Sequence, residues 1–360
     1  MILAQLPLVS ALEFPFADAP APGTLRSVAP GVHWLRMPLP FALDHINLWL
    51  LEDAAGWTIV DTGLANDATR GLWDRVLAAL PGPGPVRRVL VTHFHPDHAG
   101  NAGWLCERFA APLWITQGEY LTAHAVRAGS AGFVAEATLG LFRAHGLDEA
   151  RLGQLGTRGN QYRRLVGELP TQYRRIIEGE SLGIGGRTWR VISGYGHSPE
   201  HASLHCESLG IAISGDMLLP TISTHVGVWP TDPEGDPLGY FLRSIRRYVE
   251  LPAQTLVLPS HGLPFRGAHA RVAQLEAHHE ARLAGLLQAC GEAPRGAADV
   301  LSLIFRRPLD TQQMFFAMGE AIAHLHALER AGRLRRVRGP DGVFRFARAK
   351  EEAWDKALTA

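Results

Sequence analysis

The segment THFHPDHAGN (residues 92–101) restricts what this chain can fold into more than any other stretch. Three histidines and an aspartate, His93, His95, Asp97 and His98, fall within six residues. They follow VRRVLVT (86–92), whose apolar and β-branched residues read as a buried strand. Residues two apart in extended backbone project to the same side, so His93 and His95 point together. Asp97 and His98 lie on the following turn and face a second point. Four donors placed this way serve one ion badly, but they can be divided between two. Imidazole with carboxylate suits Zn and also Mn or Fe, and no thiolate is offered here.

Further metal-ligand residue types stand at the ends of other strand-like runs. GWTIVDTG (56–63) reaches Asp61. SLGIGGRTWRVISGYG (181–196), a hairpin turned by Gly185-Gly186, leads into His197. LGIAISGD (209–216) ends on Asp216, and QTLVLPSHG (254–262) reaches His261. Helical stretches alternate with these runs. Residues 66–80 form one, with Asn66 or Asp67 as N-cap, and the PGPGP loop (81–85) breaks it. AGWLCERF (102–109) forms another, before the strand PLWIT (112–116). Strands that end in ligands, alternating with helices, are expected of an α/β architecture with its site along one edge of the sheets. Residues 117–178 break the alternation. They carry helical periodicity with no convincing strand and read as an insertion of about four helices, either a packing elaboration or a lid over a substrate cleft.

In this order the motifs resemble the metallo-β-lactamase fold superfamily: H-x-H-x-D-H, then a Gly-His segment, a Gly-Asp segment and a late histidine, over roughly residues 30–262. IVDTG with Asp61 also matches that family's strand-end Asp-Thr-Gly. The resemblance implies a four-layer αββα sandwich and a dinuclear site. It assigns His93, His95 and His197 to one divalent ion, Asp97, His98 and His261 to the other, and Asp216 to both. Zn is the first choice, with Fe or Mn as alternatives. A carboxylate between two dications reduces their repulsion, and a bridging water there is acidified toward hydroxide at neutral pH. Asp97 is the candidate catalytic residue, orienting the hydroxide or passing a proton to the leaving group. Asp61 is read as standing behind a ligand, accepting an imidazole N–H and fixing its tautomer. His201 is read as a structural hydrogen-bonding residue near the site, and His205 as packing. His225 and Trp229, on the loop after Asp216, are substrate-contact candidates. His278, His279, His324 and His326 carry no ligand pattern.

The expected domains are a catalytic part (1–264), a C-terminal domain (265–350) and a tail (351–360). The C-terminal region reads as three helices followed by a hairpin around GPDG, the order of a winged helix-turn-helix module. The formal net charge of zero conceals a split. Residues 265–350 hold 14 basic and 8 acidic side chains, while residues 1–264 hold 20 and 24. A hydrophobic fraction of 46% with 19% charged residues describes a soluble globular chain. Three separated cysteines cannot form a disulfide framework, which points to a reducing, cytoplasmic setting. The N-terminal MILAQLPLVSALEFPF lacks a basic start and is broken by Pro7, Ser10, Glu13 and Pro15, so no signal peptide is expected. No membrane partner is expected either, because no run reaches the ~18 apolar residues of a span. A homo-oligomer is compatible with the composition.

Several branches of the resembling superfamily fit poorly. His95 stands where a flavin-linked di-iron branch has an acid. Asp216 and His261 are only 45 residues apart, too close for a long nuclease-type insertion. No cysteine occupies a ligand position. The favoured expectation is a hydrolase of a small-molecule ester, thioester (acyl-CoA or acyl-thiol) or lactone, with Phe133, Leu139, Leu141 and Phe142 walling an acyl pocket. The domain order resembles the branch with a C-terminal winged-helix-like module, which includes thioester hydrolases and glyoxalase-II-like proteins. No glutathione-binding basic pattern is recognisable. The alternative is an endoribonuclease acting on single-stranded RNA. Arg330, Arg333, Arg335, Arg336, Arg338, Arg345, Arg348 and Lys350 crowd the last helix and wing against Asp341. A DNA-binding regulator with a dead site is disfavoured, because all seven ligand positions are filled.

Overall fold

Alternating apolar residues in the N-terminal strands decide which faces of two sheets are covered. A computed structural model describes residues 12–53, 56–80 and 84–349. Segment 1–11, residues 54–55, the first three residues of PGPGP, Lys350 and the tail 351–360 lie outside the described residues. The larger sheet has seven strands in chain order: β1 Leu25–Ala29, β2 Val32–Pro38, β3 His45–Asp53, β4 Gly56–Val60, β5 Val86–Leu90, β6 Leu113–Ile115 and β7 Arg174–Arg175. It is antiparallel from β1 to β4 and parallel from β4 to β7. The second sheet runs β12-β11-β10-β9-β8, with β8 Ser181–Ile184, β9 Arg187–Gly194, β10 His201–Cys206, β11 Ile211–Gly215 and β12 Leu256–Pro259. A third pair, β13 Leu334–Arg338 and β14 Phe344–Arg348, forms the C-terminal hairpin.

The helices are α1 Asp67–Ala79, α2 Pro96–Ala99, α3 Ala102–Phe109, α4 Gln117–Ala128, α5 Ala135–Ala144, α6 Glu149–Gly156, α7 Gln161–Leu165, α8 Pro237–Ile245, α9 Ala268–Glu292, α10 Leu301–Ile304 and α11 Thr311–Arg330. Successive residues of a strand point to opposite faces. Trp49 and Leu51 of β3 therefore join Trp34, Val60, Trp189, Val191, Leu204 and Ile213 in a core between the two sheets. Leu48 and Leu50 turn the other way, onto Leu72, Trp73 and Val76 of α1 and Leu105 of α3. The far side of the second sheet receives Tyr248, whose buried hydroxyl shares a 2.6 Å hydrogen bond with Ser203 of β10. These are the four layers of an αββα sandwich. The turn between β8 and β9 needs its glycines: Gly185 and Gly186 have φ of 61° and 72°, as a two-residue hairpin turn requires.

Residues 117–178 contain one strand that the helical reading missed. α4 to α7 occupy most of the segment, but Arg174–Arg175 pairs in parallel with Trp114–Ile115 at the sheet edge. Two adjacent arginines carry no apolar alternation, and the pairing uses backbone groups alone.

The chain forms two compact units. One comprises the described residues up to Ala128, Asn160–Thr224 and Arg243–Gln274. The other comprises Gly129–Gly159, His225–Leu242 and the described residues from Leu275 onward. Both large sheets belong to the first. In the second, α5, α6, α10 and α11 and the hairpin enclose a core of Phe142, Leu152, Leu286, Met318, Ile322, Leu325 and Phe346, with Leu139 and Leu141 packed on it. Asp310 caps α11 in a capping box with Gln313, which satisfies two otherwise unpaired backbone donors. No described helix is long and apolar enough to cross a membrane.

Candidate metal centre

The candidate site lies just beyond the C-terminal ends of five strands of the first unit. Asp61 follows β4, His93 follows β5, His197 follows β9, Asp216 follows β11 and His261 follows β12. Pro96 opens α2 directly after His95, and its fixed φ starts the helix there. Asp97 and His98 thereby stand on the first turn, rotated away from His93 and His95.

Two donor groups result. In the first, His93 Nε2 lies 2.9 Å from His95 Nδ1, 3.2 Å from His197 Nε2 and 3.9 Å from Asp216 Oδ2. His197 Nε2 is 3.3 Å from the same Asp216 oxygen. In the second, Asp97 Oδ2 is 3.7 Å from His98 Nε2 and 3.5 Å from His261 Nε2, and Asp216 Oδ1 is 3.5 and 3.4 Å from those two nitrogens. Four donors at zinc bond lengths stand about 3.4 Å apart along the edges of a tetrahedron. Asp216 turns one oxygen to each group.

The donor chemistry fits a cation. His98 Nδ1–H donates to Asp61 Oδ2 at 2.8 Å, and His261 Nδ1–H donates to the carbonyl of His45 at 2.8 Å. Each Nε2 is then a lone pair aimed at carboxylate oxygens. His98 Nε2 and Asp216 Oδ1 are buried and make no hydrogen bond of ordinary geometry. Facing acceptors repel unless a cation or a proton lies between them. Protons compete for these positions. Burial lowers the pKa of both His98 and His261. Asp61, Asp97 and Asp216 around His98, and Asp216 and Asp97 around His261, outweigh that and leave both above the ordinary histidine value.

Residues 42–261 match the metallo-β-lactamase superfamily. The chain belongs to that superfamily. Residues 283–349 match the metallo-β-lactamase-like C-terminal domain. A β-lactamase domain protein from Burkholderia ambifaria is 51% identical, with a TM-score of 0.88 over 94% of this chain and 98% of its own. A metallo-β-lactamase family protein from Thermus thermophilus is 32% identical, with a TM-score of 0.76 over 89% of this chain and all of its own. The probable metallo-hydrolase YqjP of Bacillus subtilis is 24% identical over 82% of this chain and 91% of its own. The chain is accordingly a metal-dependent hydrolase of this superfamily, and the His/Asp cluster is its candidate metal centre.

The hydrolase surrounds these donors with hydrogen bonds. Asp61 has φ 62°, unusual for a side chain with a Cβ. From there it accepts the Thr92 N–H at 2.8 Å and the Thr92 hydroxyl as well as the His98 imidazole. His201 is fully buried, and its Nε2 accepts the backbone N–H of Asp216 at 3.1 Å. Gly215, at φ 55°, makes room for that ring, because a Cβ there would collide with the His201 imidazole. His205 is buried in β10, away from both donor groups of the cluster.

Several supporting residues were not visible in the sequence. His45 Nε2 accepts the Gly262 N–H at 2.9 Å. Asn47 donates to the carbonyls of Pro259 and Gly262, and Arg36 to that of Gly262 at 2.7 Å. Together they fix the turn carrying His261. Glu119 is fully buried next to the turns of His93 and His197. Burial raises its carboxyl to about 7, against the pull of hydrogen bonds from Ser198, Glu200 and Phe94. An Asn within the apolar run of β3 was the available signal for the residues that hold the His261 turn. Glu119 offered none beyond its position at the start of a helix.

His225 and Trp229 belong to the second unit. Their rings lie 5.8 Å apart, Trp229 packs on Phe315 at 5.0 Å, and His225 Nε2–H donates to the Phe316 carbonyl at 3.1 Å. They form an aromatic group with Phe315 and Phe316.

Proposed function

We propose that this hydrolase holds two divalent ions, zinc by first choice and iron or manganese by the same donors, and cleaves a small-molecule ester, thioester or lactone. One observation supports this most: Asp216 sends its two oxygens to two separate donor groups. When bound, such ions polarise the scissile carbonyl and make water nucleophilic at neutral pH. The remaining work falls to the chain. Asp216 and the five histidines set where the carbonyl and the water sit. Asp61, His201 and His45 hold those donors, so little reorganisation is needed as charge develops. Asp97 is half-buried, and we assign it the proton that passes to the leaving group.

The order α10, α11, β13, β14 supports a winged-helix-like reading of the C-terminal region, and with it kinship to the thioester-hydrolase branch. Three buried, unpaired cysteines support a reducing, cytoplasmic setting. The ribonuclease alternative has weaker support, because carboxylates, local ones and two distant in sequence (Glu234 and Glu280), neutralise part of the basic hairpin and the turn before it. Arg336 pairs with Glu234 and Glu329, Arg333 with Glu280 and Arg345 with Asp341. Arg335 stays exposed. The test is a panel of acyl-CoA and acyl-glutathione thioesters, lactones and a short single-stranded RNA, run on protein of measured metal content. Turnover of a thioester or lactone, indifferent to Arg335→Glu, is expected at two ions per chain. RNA cleavage that Arg335→Glu removes would overturn the reading.

A further inference from the structure

We infer that Glu119 of α4 and Tyr162 of α7 are positioning residues that clamp the His93–His95 turn and the His197 turn into one unit, and so set the geometry of the first donor group. The inference rests on the two-ion reading above. Phe94 stands between His93 and His95, and both of its backbone polar groups are held. Its N–H donates to Glu119 Oε2 at 2.9 Å, and its carbonyl accepts the Tyr162 hydroxyl at 2.6 Å. The other oxygen of Glu119 accepts the Ser198 hydroxyl at 2.7 Å and the Glu200 N–H at 2.6 Å, immediately after His197. One carboxylate therefore ties together the two turns that supply all three imidazoles of that group. Glu200 returns the tie: its carboxylate accepts the Gly118 N–H at 2.9 Å, and its carbonyl accepts the Thr116 hydroxyl at 2.7 Å. The Phe94 ring packs on Ala123, Tyr162 and Val166, so α4 and α7 hold its side chain as well as its peptide.

Burying a carboxylate is costly unless its lone pairs are satisfied. Glu119 is satisfied by neutral donors alone, and each lies within three residues of a ligand histidine. The second donor group is held by different residues, Asp61 behind His98 and His45 behind His261. Loosening the clamp should therefore affect one ion and spare the other, whereas a purely structural role would affect both.

The experiment uses full-length protein loaded with zinc, titrated with a chelator, and a cobalt-substituted sample read by its visible absorption. In Glu119→Gln, one ion is expected to bind at least about tenfold more weakly, the scale seen for lost supporting hydrogen bonds around a metal. The other is expected to stay within about twofold, and part of the cobalt spectrum should shift. Tyr162→Phe should move the same ion less, and it keeps the idea testable if the first variant misfolds. Tyr248→Phe, which removes the buried bond to Ser203, is the control that lowers Tm without changing either affinity. Two equal losses that scale with Tm, or no loss in either clamp variant, would overturn the clamp. A wild-type chain holding one ion sinks the two-ion reading instead. The clamp then stands only if Glu119→Gln weakens that ion at unchanged Tm.

Discussion

Asp216→Ala is expected to strip the protein of metal and to lower hydrolysis by at least about a thousandfold, the upper scale for losing a single preorganised electrostatic group. Asp216 turns one carboxylate oxygen to each donor group. Its Oδ2 lies 3.3 Å from His197 Nε2 and its Oδ1 3.4 Å from His261 Nε2. Removing it takes the one carboxylate from the His93–His95–His197 group and leaves Asp97 as the carboxylate of the other. The fold invests in this residue. Gly215 supplies a conformation no L side chain favours, and His201 receives the Asp216 N–H. Asp216→Asn separates charge from shape. It keeps the volume but turns an amide NH2 toward one set of imidazoles, so it should lose one ion more readily than the other. Metal analysis after dialysis, together with the rate on the best thioester or lactone of the panel, checks both variants. A variant that kept two ions and a rate within tenfold of wild type would remove Asp216 from the centre of the reaction.

The donors themselves were the legible part of this site. They are titratable residues at the ends of apolar runs, and sequence order alone shows that. The supporting residues act through backbone groups that only the topology brings near. Glu119 reaches Phe94 across 25 positions and Glu200 across 81, and His45 reaches Gly262 across 217. No local pattern encodes such distances. The basic wing shows the same limit: counted along the chain it faces Asp341, whereas in the fold Glu234 and Glu280 also reach it. Strand β7 was illegible for a different reason, since its two arginines pair through the main chain and leave no periodicity to read.

The second unit is expected to lose its stability in mild acid, independently of the metal centre. Four buried histidines are held neutral there. His279 Nδ1–H donates to His324 Nε2 at 3.1 Å, and His324 Nδ1–H donates to the Glu320 carbonyl at 2.8 Å, a chain that defines both tautomers. His145 and His326 lie against Phe346. Burial lowers His324 and pushes His279 down to about 2, His145 to about 3 and His326 to about 4. The unfolded chain titrates near 6.5, so below that pH it binds protons that the folded unit refuses. The stability these groups allow is therefore complete above pH 6.5 and falls as pH drops toward the folded values. At pH 5 each of His279, His145 and His326 costs about 2 kcal/mol, and these three together approach the ~5–15 kcal/mol that holds a domain folded. Amide hydrogen exchange along α11 at pH 7.5, 6.5 and 5.5, corrected for intrinsic rates, reads the helix that carries His324 and His326. Protection should fall steeply over that range. His326→Gln, which cannot titrate, should reduce the fall by roughly the share of one histidine. Protection of α11 that stayed flat to pH 5.5 would mean that these imidazoles accept protons without opening the core, and the burial account of their acidity would be wrong.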